Sequence, residues 1–411
     1  MRRLIAITAV VLLCPTSAAV ADDDASALRA TLQTAMRAAG PTSGAYVLDA
    51  SDRVTLFEWR SRKPRPLASN TKLFTTAAIL ARLGPEATLS TSVLGVGALD
   101  ASGAWQGNLY LRGGGDPTFG SGPFVRRSYG AGAGVDDLAT QLAARGVTAV
   151  RGRIFGDESL FDSLRGGPYS GFGVSRYVGP ISALAFNRGL AKTSGKSFQS
   201  NPPAFAAGRL GDALKRRGIS VRQPPRAGIT PPEATPLASA ESPPLARLIQ
   251  ITNKRSDNFF AEMLVKRLGA QRGSASTTAG ARSAMAFARR LGARPRLVDG
   301  SGLSSANMAS PRHVVELLDE LRDRPDFPVF LDSLPIAGID GTLHDRMRRG
   351  PARGHCRAKT GTIAAVSTLS GYCEADSGDE IIFSVLMQRV RPSRARRLQD
   401  RMLAALADYD G

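Results

Sequence analysis

Between Ser69 and Leu83 the chain reads S-N-T-K-L-F-T-T-A-A-I-L-A-R-L and is then stopped by Gly84-Pro85. Leu73, Phe74, Ala77, Ala78, Ile79, Leu80 and Leu83 leave almost no polar stripe, so the pattern predicts a helix that is apolar nearly all round. Such a helix cannot lie on a surface. It needs other elements on every side, and therefore a layered domain built around it. With 411 residues the chain is long enough for two domains with a sizeable core.

The flanking patterns supply those layers. Spaced alanines and leucines predict a helix over 26–40, and Gly44 to Val54 reads as a strand and turn. From about 88 to 222 the texture changes to short strands and glycine-rich loops, such as Gly113-Gly114-Gly115-Asp116-Pro117. No G-K-[ST] follows that triple glycine, which excludes a phosphate loop. Seven prolines between 223 and 244 read as an extended connector. Beyond it, helices are expected at 245–268 (interrupted near 253–258), at 276–291, at 311–321 and at the arginine-rich 394–408. Strands at 355–361 and 366–373 form a hairpin, with a further strand at 381–388. The expected fold is α/β (α+β): a helical cluster on an antiparallel sheet, made by 22–87 and 245–411. Residues 88–244 form an inserted β-rich domain that returns through the proline-rich linker.

Arg2 and Arg3 precede an apolar run, Leu4 to Cys14, too short to span a bilayer. Ala19-Val20-Ala21 follows, just before Asp22-Asp23-Asp24. This is the pattern of a cleaved secretory signal, residues 1–21, with cleavage after Ala21, and it predicts a periplasmic or otherwise extracytoplasmic protein. A lipoprotein signal at Cys14 fits poorly, because Leu13 is bulky where a small residue is needed. The formal net charge is +19. Export and the lack of aromatic-basic interleaving argue against nucleic acid, leaving an anionic envelope surface or simply a solvated face. His313, His344 and His355 show no ligand spacing, so no metal or other cofactor is expected.

Three short motifs occur in order: Ser69-Asn70-Thr71-Lys72, Ser256-Asp257-Asn258, and Lys359-Thr360-Gly361 followed by Thr362. S-x-x-K alone is weak. The ordered trio is specific, with its first member opening a buried helix and its last in a strand. Lysine usage adds weight, because only eight of the 54 cationic residues are lysines and two of them, Lys72 and Lys359, fall in the motifs. A partly buried lysine can release its proton; an arginine cannot. Ser69, at a helix start, lies where backbone N–H groups favour developing negative charge. Lys72, one turn on, shares its face, and a positive Lys359 nearby would lower its pKa enough to take the Ser69 proton. Ser256 is expected to bridge both amines and relay a proton to the leaving group, and Asn258 to hold Lys72 or the substrate amide. The Lys359 strand would pair with an extended peptide, with Gly361 leaving room for it. Lys359, Thr360 and Thr362 would hold a terminal carboxylate, and the Ser69 and Thr362 N–H groups would form an oxyanion hole. A hairpin turn at Ala364-Ala365 sets Cys356 opposite Cys373, which predicts a disulfide in an oxidising compartment.

At these residues the chain resembles the low-molecular-mass class C penicillin-binding proteins, the S13 peptidases. Thr252-Asn253-Lys254-Arg255-Ser256-Asp257-Asn258 with Phe259-Phe260-Ala261-Glu262 looks like that family's middle motif. Asp299-Gly300-Ser301-Gly302-Leu303-Ser304, Gly338-Ile339-Asp340-Gly341-Thr342-Leu343 and Val178-Gly179-Pro180-Ile181-Ser182-Ala183 are also similar to its segments. Ser69 and Ser256 stand 187 residues apart, leaving room for a whole domain between two active-site motifs. The resemblance implies a penicillin-binding, serine β-lactamase-like transpeptidase domain acylated at Ser69. It implies D-alanyl-D-alanine carboxypeptidase activity, with companion DD-endopeptidase activity, on peptidoglycan stem peptides, and β-lactams as acylating inhibitors. The rival readings are a β-lactamase and a penicillin-sensing or peptidoglycan-binding protein without turnover. No E-x-x-x-N occurs, so the deacylating glutamate of class A lactamases is missing. Intact Ser69, Lys72 and Lys359 argue against the non-turnover reading. Two departures stand out: the stretch after Asn187 is short for the family's further insert, and Ser305 replaces an arginine, which bears on peptide side-chain choice.

Overall fold

The computed structural model describes residues 17–195, 197–270 and 275–411. The charged start and apolar run of the expected secretory signal lie outside these. The helix expected at 26–40 begins earlier, and Ser17–Ala38 forms one continuous element.

The apolar segment forms the helix Thr71–Leu83, in which every residue from Thr71 to Leu80 is buried. Helices Leu245–Lys254, Asn258–Ala270 and Thr277–Arg290 pack around it. The helices alternate apolar stripes with arginine-bearing solvent faces, and Leu248, Ile249, Phe259, Phe260, Met263, Leu264 and Phe287 join Phe74 and Ile79 in one core. Against this cluster lies a five-stranded antiparallel sheet in the order Cys356–Ile363, Val366–Glu374, Glu380–Gln388, Gly44–Asp49, Val54–Trp59. Strand alternation sends successive side chains to opposite faces. Tyr46, Tyr372, Ile382 and Leu386 join the helical core, while Val47, Leu369, Phe383 and Val385 meet helices Ser17–Ala38 and Pro392–Ala407 on the other side. The edge strand Cys356–Ile363 therefore runs along the rim of the helical cluster. That rim is where the three sequence motifs meet.

Residues 90–241 build a seven-stranded sheet of their own, centred on the long pair Ser90–Leu99 and Ala104–Gly113. Two expectations need correction here. The insert is mixed rather than simply β-rich: helices Val135–Ala144 and Pro202–Lys215 cover its sheet, and several of its strand pairs are parallel. Those helices have short, alanine- and glycine-diluted stripes, which read as loop in a chain with this texture. The proline-rich stretch is also not a free connector. Thr235–Glu241 within it is an edge strand paired with Ser90–Leu99. Its only proline, Pro236, sits at the start, where the register shifts between Pro236 and Ala238. An edge strand tolerates a missing donor at such a bulge.

The disulfide joins Cys356 to Cys373, which face one another in the register of the hairpin. Among the described residues no helix is long and apolar enough to cross a membrane.

Candidate active site

The central helix opens into a tight turn, Ala68–Asn70, that presents Ser69. Ala68 has φ +46° and Ser256 has φ +55°. Left-handed backbone at two non-glycine residues flanking one cavity is local strain held by the surrounding packing. Gly302, at φ +85°, lets a third segment come close, since a Cβ there would stand 1.8 Å from the Ala68 carbonyl oxygen.

Lys72 is fully buried and spends all three of its N–H donors. Its Nζ donates to Ser69 Oγ at 3.1 Å, to Asn258 Oδ1 at 2.8 Å and to the Ser301 carbonyl at 2.7 Å. Burial brings its pKa down to about 8, against the pull of Asp257, Asp299 and Glu262 in the other direction. The sequence pointed to Lys359 for that lowering; desolvation is what lowers it. Lys359 is itself buried and pushed well below the ordinary lysine range, by desolvation first and by Lys72 second. Its Nζ donates to Ser256 Oγ at 2.9 Å and to the Thr360 carbonyl at 2.8 Å. Ser256 therefore contacts Lys359 and makes no hydrogen bond to Lys72, whose donors are taken by Ser69, Asn258 and Ser301. The expected bridge between the two amines is absent.

Ser69, Ser256, Asn258, Thr360, Gly361 and Thr362 line one cavity of about 630 Å³, with the two lysines buried behind it. Gly361 has a structural part besides the one expected. A Cβ at this position would meet Thr368 Oγ1 at 2.2 Å and the Ser69 nitrogen at 2.8 Å, so the glycine lets the edge strand approach the Ser69 turn itself. Thr360 Oγ1 hydrogen-bonds Thr342 Oγ1 at 2.7 Å, which brings the segment after Gly341 to the cavity rim.

Several contributing residues were missed. Glu262 is fully buried, and its Oε1 accepts the N–H groups of Gly300 (3.2 Å) and Ser301 (2.9 Å). It thereby fixes the backbone leading into Ser301, the residue whose carbonyl accepts from Lys72. Asp299 holds the same loop by accepting from Gly302 N, Ser304 N and Asn307 Nδ2 at 2.7–2.9 Å. Burial and then the Asp299 charge raise Glu262 to about 8, so one of these two acids carries the proton more readily, and Asp299 with three donors is better placed to stay ionised. Glu262 was detectable in principle: it is the one acid in an apolar run, one helical turn from Asn258. Arg188 had no such signal. It comes from the insert, holds left-handed backbone (φ +58°) and grips Asp257 with both terminal nitrogens, at 2.6 and 3.1 Å. Asp257 Oδ1 in turn accepts the Phe260 N–H. The turn bearing Ser256 and Asn258 is thus clamped from outside its own domain.

A nucleophile-ready hydroxyl, a lysine poised to deprotonate and a second hydroxyl–lysine pair on the opposite wall can support acyl transfer through a covalent serine ester. Comparison with known proteins agrees with that chemistry. The model of the D-Ala-D-Ala carboxypeptidase 3 (S13) family matches residues 25–201 and 191–409. The chain is similar to a D-alanyl-D-alanine carboxypeptidase of Actinomadura sp. (strain R39), 30% identical over 90% of this chain and 82% of that protein. Its fold is similar to that of penicillin-binding protein 4 from Haemophilus influenzae, with a TM-score of 0.77 at 20% identity over 90% of this chain and 97% of the other. It is also similar to a penicillin G-acylated predatory endopeptidase from Bdellovibrio bacteriovorus, with a TM-score of 0.56 at 19% identity over 90% and 93%.

Proposed function

The chain belongs to the D-Ala-D-Ala carboxypeptidase 3 (S13) family, and from that premise we propose that Ser69 is the acylated nucleophile of a serine-type D-alanyl-D-alanine carboxypeptidase. The carrying observation is the contact of a fully hydrogen-bonded, desolvated Lys72 with Ser69 Oγ. Lys72 in its neutral form takes the hydroxyl proton as Ser69 attacks the carbonyl of the penultimate D-alanine. The backbone N–H groups of Ser69 and Thr362 hold the oxyanion. Ser256 passes its hydroxyl proton to the departing D-alanine nitrogen and regains one from Lys359, to which it is hydrogen-bonded. Asn258 fixes Lys72 through its Oδ1, while its Nδ2, which donates one N–H to the Tyr177 carbonyl at 3.4 Å, offers the other to the substrate backbone. Thr360, Thr362 and the Lys359 charge receive the terminal carboxylate, while the outer edge of the strand beyond Ala358, past its bonds to Pro335 and Ala337, pairs with the stem peptide. Water then cleaves the ester, its proton returning to Lys359 through Ser256 while Lys72 gives its own back to Ser69 Oγ.

The same acyl-enzyme forms when the leaving amine belongs to a neighbouring stem peptide, so DD-endopeptidase activity on cross-links accompanies carboxypeptidase activity. A β-lactam presents the same carbonyl and carboxylate and acylates Ser69 in place of substrate. Family members work on the cell wall, outside the cytoplasm; export here proceeds through the signal ending at Ala21, with a mature N-terminus at Asp22 that sequencing of the exported protein would reveal.

The test is release of D-alanine from a soluble pentapeptide ending in D-alanyl-D-alanine, together with the intact mass after penicillin treatment. Wild-type protein gains one adduct and Ser69→Ala gains none. An adduct that persists in Ser69→Ala moves the nucleophile elsewhere.

A further inference from the structure

Two segments, 344–357 and 389–401, hold eleven arginines against two aspartates in 27 residues, a net +9 out of +19 for the whole chain. They are separated in sequence by three strands' worth of chain yet share one surface. Arg346 reaches across to Asp400 at 2.6 Å, to the Gln399 side chain at 3.2 Å and to the Arg396 carbonyl at 3.3 Å. That contact pins the 344–357 loop beside the helix Pro392–Ala407 and uses up Asp400. Asp345, the other acid, hydrogen-bonds His344. Arg357 pairs with Asp332. By contrast, Arg348, Arg349 and Arg353 on the loop and Arg394, Arg397 and Arg401 on the helix are exposed and form no ion pair with any described residue. Arg394, Arg397 and Arg401 follow helical spacing along one stripe, while Ala395, Leu398, Met402 and Leu403 turn inward.

Six exposed guanidinium groups on two adjoining segments concentrate positive charge that is felt over a Debye length of about 8 Å at physiological salt. Only an anionic partner offsets that charge on binding. The position of the face identifies the partner. Arg346 and Arg396 line the cavity that holds Ser69, Thr360 and Thr362, so the loop and the helix that carry the exposed arginines both border the mouth of the active site. A lipid bilayer seated there would cover the mouth. A polymer feeding a stem peptide into the cavity has to pass over this face, and peptidoglycan carries free carboxylates on each stem peptide. We infer that the arginine face docks the enzyme on its own polymeric substrate, engaging carboxylates of stem peptides next to the one being cut. The inference rests on the carboxypeptidase reading above. Each guanidinium–carboxylate contact is weak when exposed, but several on one polymer raise the local substrate concentration together.

The test uses the full-length protein and the triple variant Arg394→Glu/Arg397→Glu/Arg401→Glu, none of which lines the cavity. Co-sedimentation with insoluble peptidoglycan is measured at about 0.05 M and about 0.5 M NaCl, beside D-alanine release from that polymer and from a soluble pentapeptide. Wild-type protein should sediment at low salt and be released at high salt. The variant should bind about tenfold less and release D-alanine from the polymer correspondingly more slowly, with an unchanged rate on the soluble pentapeptide. Equal sedimentation of the two proteins, or salt-insensitive binding, overturns the inference. So does binding to phosphatidylglycerol vesicles in preference to peptidoglycan. If the helix variant melts early, Arg348→Glu/Arg349→Glu/Arg353→Glu on the loop poses the same question. Wild-type failure on the soluble pentapeptide would instead overturn the carboxypeptidase reading, because that measurement does not involve the arginine face.

Discussion

In the mechanism proposed above Lys72 has to be neutral to accept the Ser69 proton, and burial sets where that happens. With its pKa at about 8, acylation rises with pH through a limb near that value and fades below it as the ammonium forms. Glu262 acts on Lys72 in two ways: its charge, when present, holds the pKa up, and its Oε1 anchors the Ser301 peptide. The variants separate the two. Glu262→Gln keeps an oxygen for the Gly300 and Ser301 amides but removes the charge, so the limb moves to lower pH. Glu262→Leu also loses the anchor and slows acylation at every pH, by about tenfold or more. Stopped-flow acylation with a fluorescent penicillin across the pH range checks both, and superimposable profiles for all three proteins would detach Glu262 from Lys72. Lys72→Arg keeps the charge and supplies no base; its acylation should fall to the background of Ser69→Ala.

Two connections between elements bear on the site. Arg188 holds the turn between helices Leu245–Lys254 and Asn258–Ala270 through Asp257, while its guanidinium centre lies 5.0 Å from the centroid of the Phe259 ring. Removing it releases a strained turn that carries both Ser256 and Asn258. Arg188→Ala should lower kcat for D-alanine release by about ten- to a hundredfold, with the substrate KM less affected. Arg188→Lys should recover little, because a single ammonium cannot reproduce the paired contact. The hairpin disulfide stiffens the strand bearing Lys359 from its far end. Closing a loop of this length contributes about 3 kcal/mol, so Cys356→Ser/Cys373→Ser should melt several degrees lower by calorimetry while the acylation chemistry survives below the transition.

At the scale of the molecule, the insert shares its interior with the catalytic domain. Phe124, Val125, Tyr129, Phe161, Val178 and Ile181 belong to the same apolar core as Phe259, Phe260 and Met263, and the rings of Tyr129 and Phe260 meet edge-on at 5.2 Å. Buried Lys266 reaches Asp162 and the Leu164 carbonyl across the same boundary. Exposing that surface would cost far more than the marginal stability of a domain permits. Thermal unfolding should therefore show one transition for both parts, and excision of residues 90–241 should yield no soluble protein. Two well-separated calorimetric transitions would show that the insert folds independently.

Local signals were enough for the central helix, the hairpin register that pairs Cys356 with Cys373, and the three motifs, because each depends on residues within a few turns or one strand reversal of each other. The edge-strand fate of Thr235–Glu241 and the two helices of the insert were not legible, since proline density and weak apolar stripes carry no record of the partner that completes a sheet or covers it. In the site, side-chain type marked Ser69, Lys72, Ser256, Asn258 and Lys359. Which hydroxyl faces which amine was decided by packing, as was the origin of the low Lys72 pKa in burial rather than in a neighbouring charge. Arg188 shows the boundary most clearly: nothing near it in the chain points to Asp257, 69 residues away, and only the meeting of two separately built cores brings guanidinium and carboxylate together.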